Sequence, residues 1–242
     1  MTMKFVTRKW YKYLFEFLSI FVAVISAFAL NNWNDNRRDR LAEEKVLKEI
    51  RSGLKLDLFD LKQNKSGHER GIKVCRAFRH MLANKPFPKD TLLSWYPLMV
   101  SDASSIFNKT GYESLKAKGL EIVKNDTVRY RIVELYDYYY QIMYKNEETN
   151  EPLQLFKNYY HPINEIMKDY LVYNKDGYLI GFKDVSDMKV EDRNALYGYL
   201  NLIEYSRMYK VHYYNKIEEK INNLIKTINR DQGWTEINKS QP

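Results

Sequence analysis

The histidines and the single cysteine are the side chains of this sequence best suited to metal binding or nucleophilic chemistry. No two histidines have a spacing, such as H-E-x-x-H or H-x-H, that would make them a zinc pair on one helix. Cys75 precedes His80 by five residues, and helical residues five apart diverge by about 140°, which is poor geometry for a nucleophile and its base. We therefore expect no metal site and no cofactor, and we interpret Cys75 as a small core residue. The histidines are His68, His80, His161 and His212.

Adjacent carboxylates and phosphate-binding motifs are the next candidates for chemistry. The pairs Glu43–Glu44, Glu147–Glu148 and Glu218–Glu219 are neighbours in sequence, so they splay around a helix, which favours solvated faces over acid–base pairs. The chain contains no P-loop, no G-x-G-x-x-G and no G-x-S-x-G. The sequence thus predicts no catalytic residue and favours a non-enzymatic protein.

A tyrosine cluster is the one candidate binding surface in the body of the protein. Tyr136, Tyr139 and Tyr140 share a helical face. Two interpretations are open: a packed core face, or an exposed aromatic platform for a ligand or glycan.

Composition and charge limit the class of protein. The chain has 242 residues with only 9 Gly and 6 Pro, which favours long helices over a turn-rich β fold. The net charge is +8, of which the first twelve residues hold four cations and no acid, and the surplus from Asp35 onward is mild and spread out. We therefore expect no nucleic-acid partner, which would need a concentrated basic patch. A single cysteine excludes an intramolecular disulfide.

Residues 13–33 form an apolar run that we interpret as a transmembrane helix in contact with the lipid bilayer. A basic tail at 1–12 precedes it, and a helical domain at 34–242 follows it. Tryptophans flank the run 23 residues apart, or about 35 Å at ~1.5 Å per residue, which matches a bilayer with its interfaces. We predict three membrane-interface anchors: Trp10, Tyr13 and Trp33.

Two other interpretations of this run are open. The basic start, the apolar region and Ala27-Phe28-Ala29 are similar to a cleavable signal peptide, although Glu16 is unfavourable in such a region. A buried core helix of a soluble protein is the other, and it would not need aromatic residues at both ends.

Small and polar side chains share one face of the apolar run. An ionisable group within a membrane helix usually faces protein or water, and small residues four apart allow helices to approach closely. Either this face contacts another membrane protein or a second copy of the chain, or Glu16 reaches outward to the interface or pairs with Lys12. We define this face as the transmembrane stripe: Glu16, Ser19, Ala23, Ala27 and Asn31.

The tail favours one orientation in the membrane. Four basic residues precede the apolar run and five follow it closely, so their count does not decide the orientation, but a short, wholly cationic tail is difficult to translocate. We expect the N-terminus in the cytoplasm of a bacterial cell and the body in the periplasm.

The body has the periodicity of helices, so the expected fold is all-α: the transmembrane helix continues into an elongated antiparallel bundle. Gly67 and Gly71 flank a polar gap in the first long helix and are candidates for a bend. We expect short helices at 91–96, capped by Asp90, and before Gly119. Longer ones are expected from Asn125 or Asp126, over 151–172 with Pro152 and Pro162 in first turns, and over 192–231. "YLVYNKDGYLIGF" is the single strand-like patch, read as a loop with weak pairing around Asp176-Gly177.

Two segments are similar to an uncharacterised bacterial membrane-protein family common in Bacteroidota. The first runs through the transmembrane helix to Asn31-Asn32-Trp33-Asn34, and the second contains Tyr112, Leu115 and Gly119 before a Lys-Asn-Asp sequence. Phe15 and Ala23 stand where that family usually has glycine. The resemblance implies one membrane span and a helical domain, and it implies no activity, cofactor or substrate.

Three functions are consistent with these observations. We favour a scaffold or accessory subunit of a bacterial envelope complex, docking through the transmembrane stripe. The alternatives are a periplasmic ligand-binding sensor bundle that signals through a partner, and an envelope enzyme.

Overall fold

The computed structural model describes residues 5–87, Leu93 and 96–235. The helix predicted at 91–96 and its Asp90 cap rest mostly on residues outside these ranges, as does the start of the basic tail. The elements in chain order are α1 (Phe5–Leu82), α2 (Thr110–Lys118), α3 (Asp126–Val133), α4 (Tyr140–Tyr144), α5 (Leu155–Met167), β1 (Leu171–Tyr173), β2 (Leu179–Phe182) and α6 (Val190–Gln232). Short 3₁₀ turns cover Pro97–Met99, Leu120–Ile122, Glu151–Leu153 and Lys168–Tyr170, and π-helical turns cover Glu134–Tyr139 and Lys145–Thr149.

Helix α1 is one uninterrupted element of 78 residues, including Gly67 and Gly71. At ~1.5 Å per residue it is about 115 Å long. Its most apolar window has a mean hydropathy of 2.2 and is 0% buried, so the helix is long and apolar enough to cross a membrane. The core-helix interpretation of this segment is wrong, because nothing in the described part of the chain packs against it.

The fold is mostly all-α, as predicted. Helix α6 runs antiparallel to α1, and we call the end of the bundle near the C-terminus of α1 its upper end. Arg79 pairs with Glu204 toward the upper end, whereas Arg51 lies over the Trp234 ring, 5.4 Å from its centroid, toward the lower end. Between these helices the chain descends along α1 through residues 97–118 and rises again through 126–167, and α5 packs on the upper half of α6.

Two hydrophobic cores fill the bundle. The lower core contains Leu47, Ile50 and Leu54 of α1 with Ile217, Ile221, Leu224 and Ile228 of α6, all 1% exposed or less. The upper core contains Cys75 and Phe78, together with residues of α5, the hairpin and the first half of α6. Cys75 is fully buried, which confirms the core interpretation, and burial raises the pKa of its thiol to about 11.

Local signals placed several element ends correctly. Gly119 ends α2 with φ +94°, and Asn125 caps α3 by accepting from the backbone N–H groups of Thr127 and Val128. Pro162 corrects the prediction: it lies inside α5, where its missing N–H leaves the Asn158 carbonyl without its helical donor.

The strand-like patch is an antiparallel hairpin, more regular than the loop we expected. β1 pairs with β2, with Leu171 opposite Phe182, and Gly177 in the connecting turn has φ +84°. The ring of Phe182 packs edge-on against Phe78, so the bundle supports a hairpin that would be marginal alone. The helix predicted over 151–172 accordingly ends at Met167.

Candidate functional site

The transmembrane stripe and the predicted anchors all lie on the part of α1 that packs against no other described element. Every stripe residue is exposed, and Trp10, Tyr13 and Trp33 are 63%, 65% and 62% exposed. Local contacts satisfy some of the polar groups: the Ser19 hydroxyl donates to the Glu16 carbonyl at 2.8 Å, and the Asn31 amide donates to Asp35. No described element of the protein covers this face.

A layer of polar side chains separates the two hydrophobic cores, and all of them are buried except Asp102, whose side chain is 22% exposed. We call it the polar layer: His68, Asp102, Glu147, Arg207, Lys210 and Tyr214. It surrounds residues 100–109, a stretch without regular structure that we call the connector. Five connector residues are exposed and only Val100 is buried, so the connector is partly covered by the bundle. The backbone N–H and C=O groups that do leave water must find partners, and an irregular segment cannot find them in a helix or a sheet. Side chains of α1, α6 and the second π-helical turn supply those partners.

Arg207 of α6 is the centre of the polar layer. Its guanidinium is 1% exposed and donates from one nitrogen to three carbonyls, those of Leu98 at 2.9 Å, Met99 at 3.2 Å and Ser101 at 2.7 Å. Its other terminal nitrogen lies 3.2 Å from His68 Nδ1. Charge-assisted bonds to several carbonyls offset the cost of burying a cation without a directly bound carboxylate.

A second cation and two acids complete the layer. Lys210, 1% exposed, donates to Asp102 at 2.6 Å, and the other oxygen of that carboxylate accepts from the Leu155 N–H at 3.0 Å. Tyr214 donates to Glu147 at 2.5 Å, and the same carboxylate accepts from the Ser105 N–H at 2.8 Å. Glu147 is therefore buried, 7% exposed, and the interpretation of Glu147–Glu148 as a solvated pair is wrong for this residue. It is also wrong for Glu43 of the Glu43–Glu44 pair, which is 7% exposed and accepts from the Lys124 N–H at 2.8 Å.

Burial moves the pKa values of His68 and Glu147 in opposite directions. Desolvation, with the nearby charges of Arg207 and Lys210, lowers the pKa of His68 to about 3, so the ring is neutral at physiological pH. Desolvation raises the pKa of Glu147 to about 7, although its hydrogen-bond donors and Lys210 oppose the shift. Both shifts favour the neutral form, as expected in a site that excludes water.

The tyrosine cluster lies below the polar layer and is core. Tyr136 and Tyr140 are 2% and 1% exposed, and Tyr139 is half-buried. Tyr140 stacks on Phe107 at 3.8 Å and donates to Asp57 at 2.5 Å, while Asp57 also accepts from the Asn108 N–H at 2.8 Å. The structure thus brings Tyr136 and Tyr140 together in the interior, where they cannot form an exposed platform, and Tyr140 helps to hold the connector.

The polar layer performs a structural task that accounts for its charges. Each of its carboxylates and both of its cations bind the connector or a side chain that does so, and the described residues contain no cluster of His, Cys, Asp or Glu suited to a metal ion. The layer fixes the position of an irregular chain segment between two apolar cores.

The sequence carried a signal for this layer that we did not use. Along α6, core residues recur at three- and four-residue intervals from Leu200 and Ile203 to Tyr214 and Ile217. Arg207 and Lys210 occupy the two positions between them, and the polar gap at 64–70 of α1, which contains His68, faces them. Two charged residues at core positions of one helix opposite a polar gap in another predict a buried polar layer.

The fold defines the class of protein: a mostly α-helical chain with one helix able to cross a membrane. The chain belongs to the DUF6090 family, described as a family of unknown function, whose model matches residues 16–158. The matched region begins at Glu16 and ends before α6. No curated protein and no solved structure matches the chain.

Proposed function

We propose that this protein is a bitopic accessory or scaffold subunit of a bacterial cell-envelope complex, without catalytic activity of its own. The transmembrane segment lies in the inner membrane, with the basic tail in the cytoplasm and the bundle in the periplasm. The transmembrane stripe docks onto another membrane protein.

The continuity of α1 is the observation that carries this proposal. One helix supplies both the apolar segment and the longest wall of the bundle, with no break between Phe5 and Leu82. A chain break or flexible linker would let the two parts turn independently, whereas a continuous helix fixes their relative rotation. Such an element suits a protein that holds a partner within the membrane in a fixed orientation relative to a partner outside it.

The stripe supports a protein contact within the membrane. Glu16 is costly against lipid, and Ser19, Ala23 and Ala27 are small enough for a second helix to come close. No described helix covers Glu16, which supports a partner protein at the stripe.

The test is complex formation by the full chain in native membranes. We expect the wild type to migrate as a complex after mild solubilisation, and Glu16→Leu plus Ala23→Leu to release a monomer that keeps its helical content. Phe28→Leu is the matched control, because it lies in the same segment outside the stripe. A wild type that is strictly monomeric, or a mature chain that starts near residue 30 by mass spectrometry, would contradict the proposal.

One observation favours the sensor alternative. A groove of about 220 Å³ lies between α5 and the hairpin, lined by aromatic rings that include Tyr96, Tyr160 and Tyr173, with Asn164 as a polar group. Aromatic walls with a single amide suit a small, partly apolar ligand. A rise in the bundle's melting temperature with such a ligand, lost in Tyr160→Ala, would support this function.

A further inference from the structure

The transmembrane stripe and the outer surface of the bundle lie on the same side of α1. At about 100° per residue, positions separated by 18 residues return to the same direction after five turns. Ala23, Leu41 and Phe59 are 18 residues apart, so they lie in one line along the helix. Ile50, half of that interval beyond Leu41, points the opposite way and is 1% exposed in the lower core.

The exposure of α1 agrees with this geometry. Leu41, Leu56 and Phe59 are 54%, 63% and 66% exposed, although α1 is packed against the bundle along its other side at the same heights. A groove of about 370 Å³ lies beside them, with Ser52 and Leu56 on one wall and Thr110 on the other. The apolar side chains thus form an unpartnered surface that continues upward from the transmembrane stripe.

Exposed basic residues surround these apolar side chains. All of them lie within about 60° of the line through Ala23, Leu41 and Phe59. In the same sector, residues 41–77 contain one carboxylate, Glu44, which pairs with Lys48 at 2.6 Å. The described structure gives none of the others an ion pair. We call this surface the basic face: Lys45, Lys48, Lys55, Lys62, Arg70 and Lys73.

We propose that the basic face binds an acidic, amphipathic helix of a partner membrane protein whose own transmembrane helix docks on the stripe. This inference rests on the proposed function and names the partner's chemistry. Acidic side chains on the partner complement the six cations, and apolar ones cover Leu41, Leu56 and Phe59. The two contacts lie on one line of one rigid helix, so a partner helix that crosses the bilayer beside Ala23 passes Phe59 about 54 Å farther along α1.

A second copy of the chain fits this face poorly. Two copies anchored in one membrane share an orientation, so pairing through α1 would place each lysine of the basic face near its own counterpart. Like charges opposed in this way are unfavourable.

Lipid headgroups also fit poorly. Lys45 is 12 residues beyond Trp33 and Lys73 is 40, or about 18 Å and 60 Å along the helix. The potential of an anionic bilayer decays within about 10 Å at physiological ionic strength, so it does not reach this surface.

The test is site-specific photocrosslinking of the full chain in native membranes, with benzoylphenylalanine at one position at a time. Ile20 reports the stripe and Phe59 the basic face, while Phe28 and Tyr205 are exposed controls on other surfaces. We expect Ile20 and Phe59 to crosslink to one protein, identified by mass spectrometry, with a membrane span followed by an acidic helix. Phe28 and Tyr205 should not give that product.

Charge reversal then tests the chemistry. Lys55→Glu plus Lys62→Glu should lower the Phe59 product by about tenfold or more and leave the Ile20 product in place. Lys216→Glu plus Lys226→Glu, exposed on α6, is the matched control and should change neither product. Acidic-to-lysine substitutions in the partner helix should restore the product with the reversed chain.

Each other outcome overturns the inference at a defined point. A Phe59 product that is a second copy, only lipid, or insensitive to charge reversal overturns the acidic partner and leaves the proposed function intact if Ile20 still captures a protein. An absence of protein products at both positions overturns the inference and the proposed function together.

Discussion

Gly71 of α1 lies directly against the guanidinium of Arg207 on α6. A Cβ atom added at residue 71 would overlap three atoms of the Arg207 side chain. The absence of a side chain at Gly71 is what lets this cation reach the carbonyls of Leu98, Met99 and Ser101 from the opposite helix. Gly71 therefore belongs to the packing of the polar layer around Arg207.

The first prediction is that Gly71→Ala destabilises the bundle. Arg207 would have to move, and its hydrogen bonds to the carbonyls of Leu98, Met99 and Ser101 would lengthen or break, at a cost of about 1–3 kcal/mol. Gly198→Ala is the matched control, because residue 198 is exposed, has nothing within 4 Å of an added Cβ, and should gain up to about 1 kcal/mol from helix propensity. Thermal unfolding of the full chain in micelles measures both variants. A Gly71→Ala protein as stable as the Gly198→Ala protein would contradict the packing described.

Removal of the Arg207 side chain should be more costly. Arg207→Met removes the guanidinium donor from three carbonyls and from His68 Nδ1, and of these only the Leu98 carbonyl keeps another donor among the described residues, the Ser101 hydroxyl at 3.3 Å. We therefore expect a loss of about 3 kcal/mol. Arg76→Met removes an ion pair to Glu204 at nearly the same height, but the Arg76 side chain is 60% exposed and should contribute less than about 1 kcal/mol. A similar small loss in both variants would show that the connector does not depend on Arg207.

The pH dependence of stability should reveal Glu147. Its pKa is about 7 in the folded protein against an ordinary value of 4.5, so the folded state holds the proton more tightly than the unfolded state. The stability that this group contributes is complete below about pH 4.5 and is lost as the pH rises through 7. Glu147→Gln should abolish that loss, about 3 kcal/mol between pH 5 and 8. Urea titrations of both chains across this range measure it, and parallel profiles would contradict the prediction.

His68 should act with the opposite sign. Its pKa is about 3 in the folded protein against 6.5 when unfolded, so below pH 6.5 the unfolded state takes up a proton that the folded state refuses. The stability that this group contributes is present above pH 6.5 and is lost as the pH falls toward 3. His68→Gln should flatten the acid side of the profile, whereas Glu147→Gln should steepen it, because the two groups oppose each other between about pH 4.5 and 6.5. Titration of the two variants together with the double variant separates these slopes.

Periodicity predicted most of the fold, because each long helix has an apolar face against a neighbour. The stop at Gly119, the cap at Asn125 and the α6 core from Ile217 to Ile228 depend on local chemistry or on spacing alone. The predictions failed where contacts between residues distant in sequence determine whether a side chain is buried. Glu147 has an ordinary polar context in sequence, and only the approach of Tyr214 and Ser105, distant along the chain, makes it a buried acid.

The polar layer was hidden for a related reason. His68 was considered as a metal ligand, and its role as a neutral acceptor near Arg207 depends on a helix 139 residues away in sequence. The basic face was also invisible in the net charge, because its cations are dispersed in sequence and converge only when α1 is known to be a single helix with one side packed.

The last prediction tests whether the rotation of α1 matters to function. No residue between Asn34 and Leu41 is buried, so residues can be inserted there without disturbing either core. Two alanines after Asp39 rotate the transmembrane stripe by about 200° relative to the basic face, while four rotate it by about 40°. The four-residue insertion moves the bundle about 6 Å farther from the membrane and the two-residue insertion about 3 Å. We expect the two-residue insertion to abolish photocrosslinking from Phe59 and the four-residue insertion to retain most of it. Yield that falls steadily with insert length would show that height rather than rotation governs the contact, and unchanged yield in both chains would show that the two surfaces bind independently.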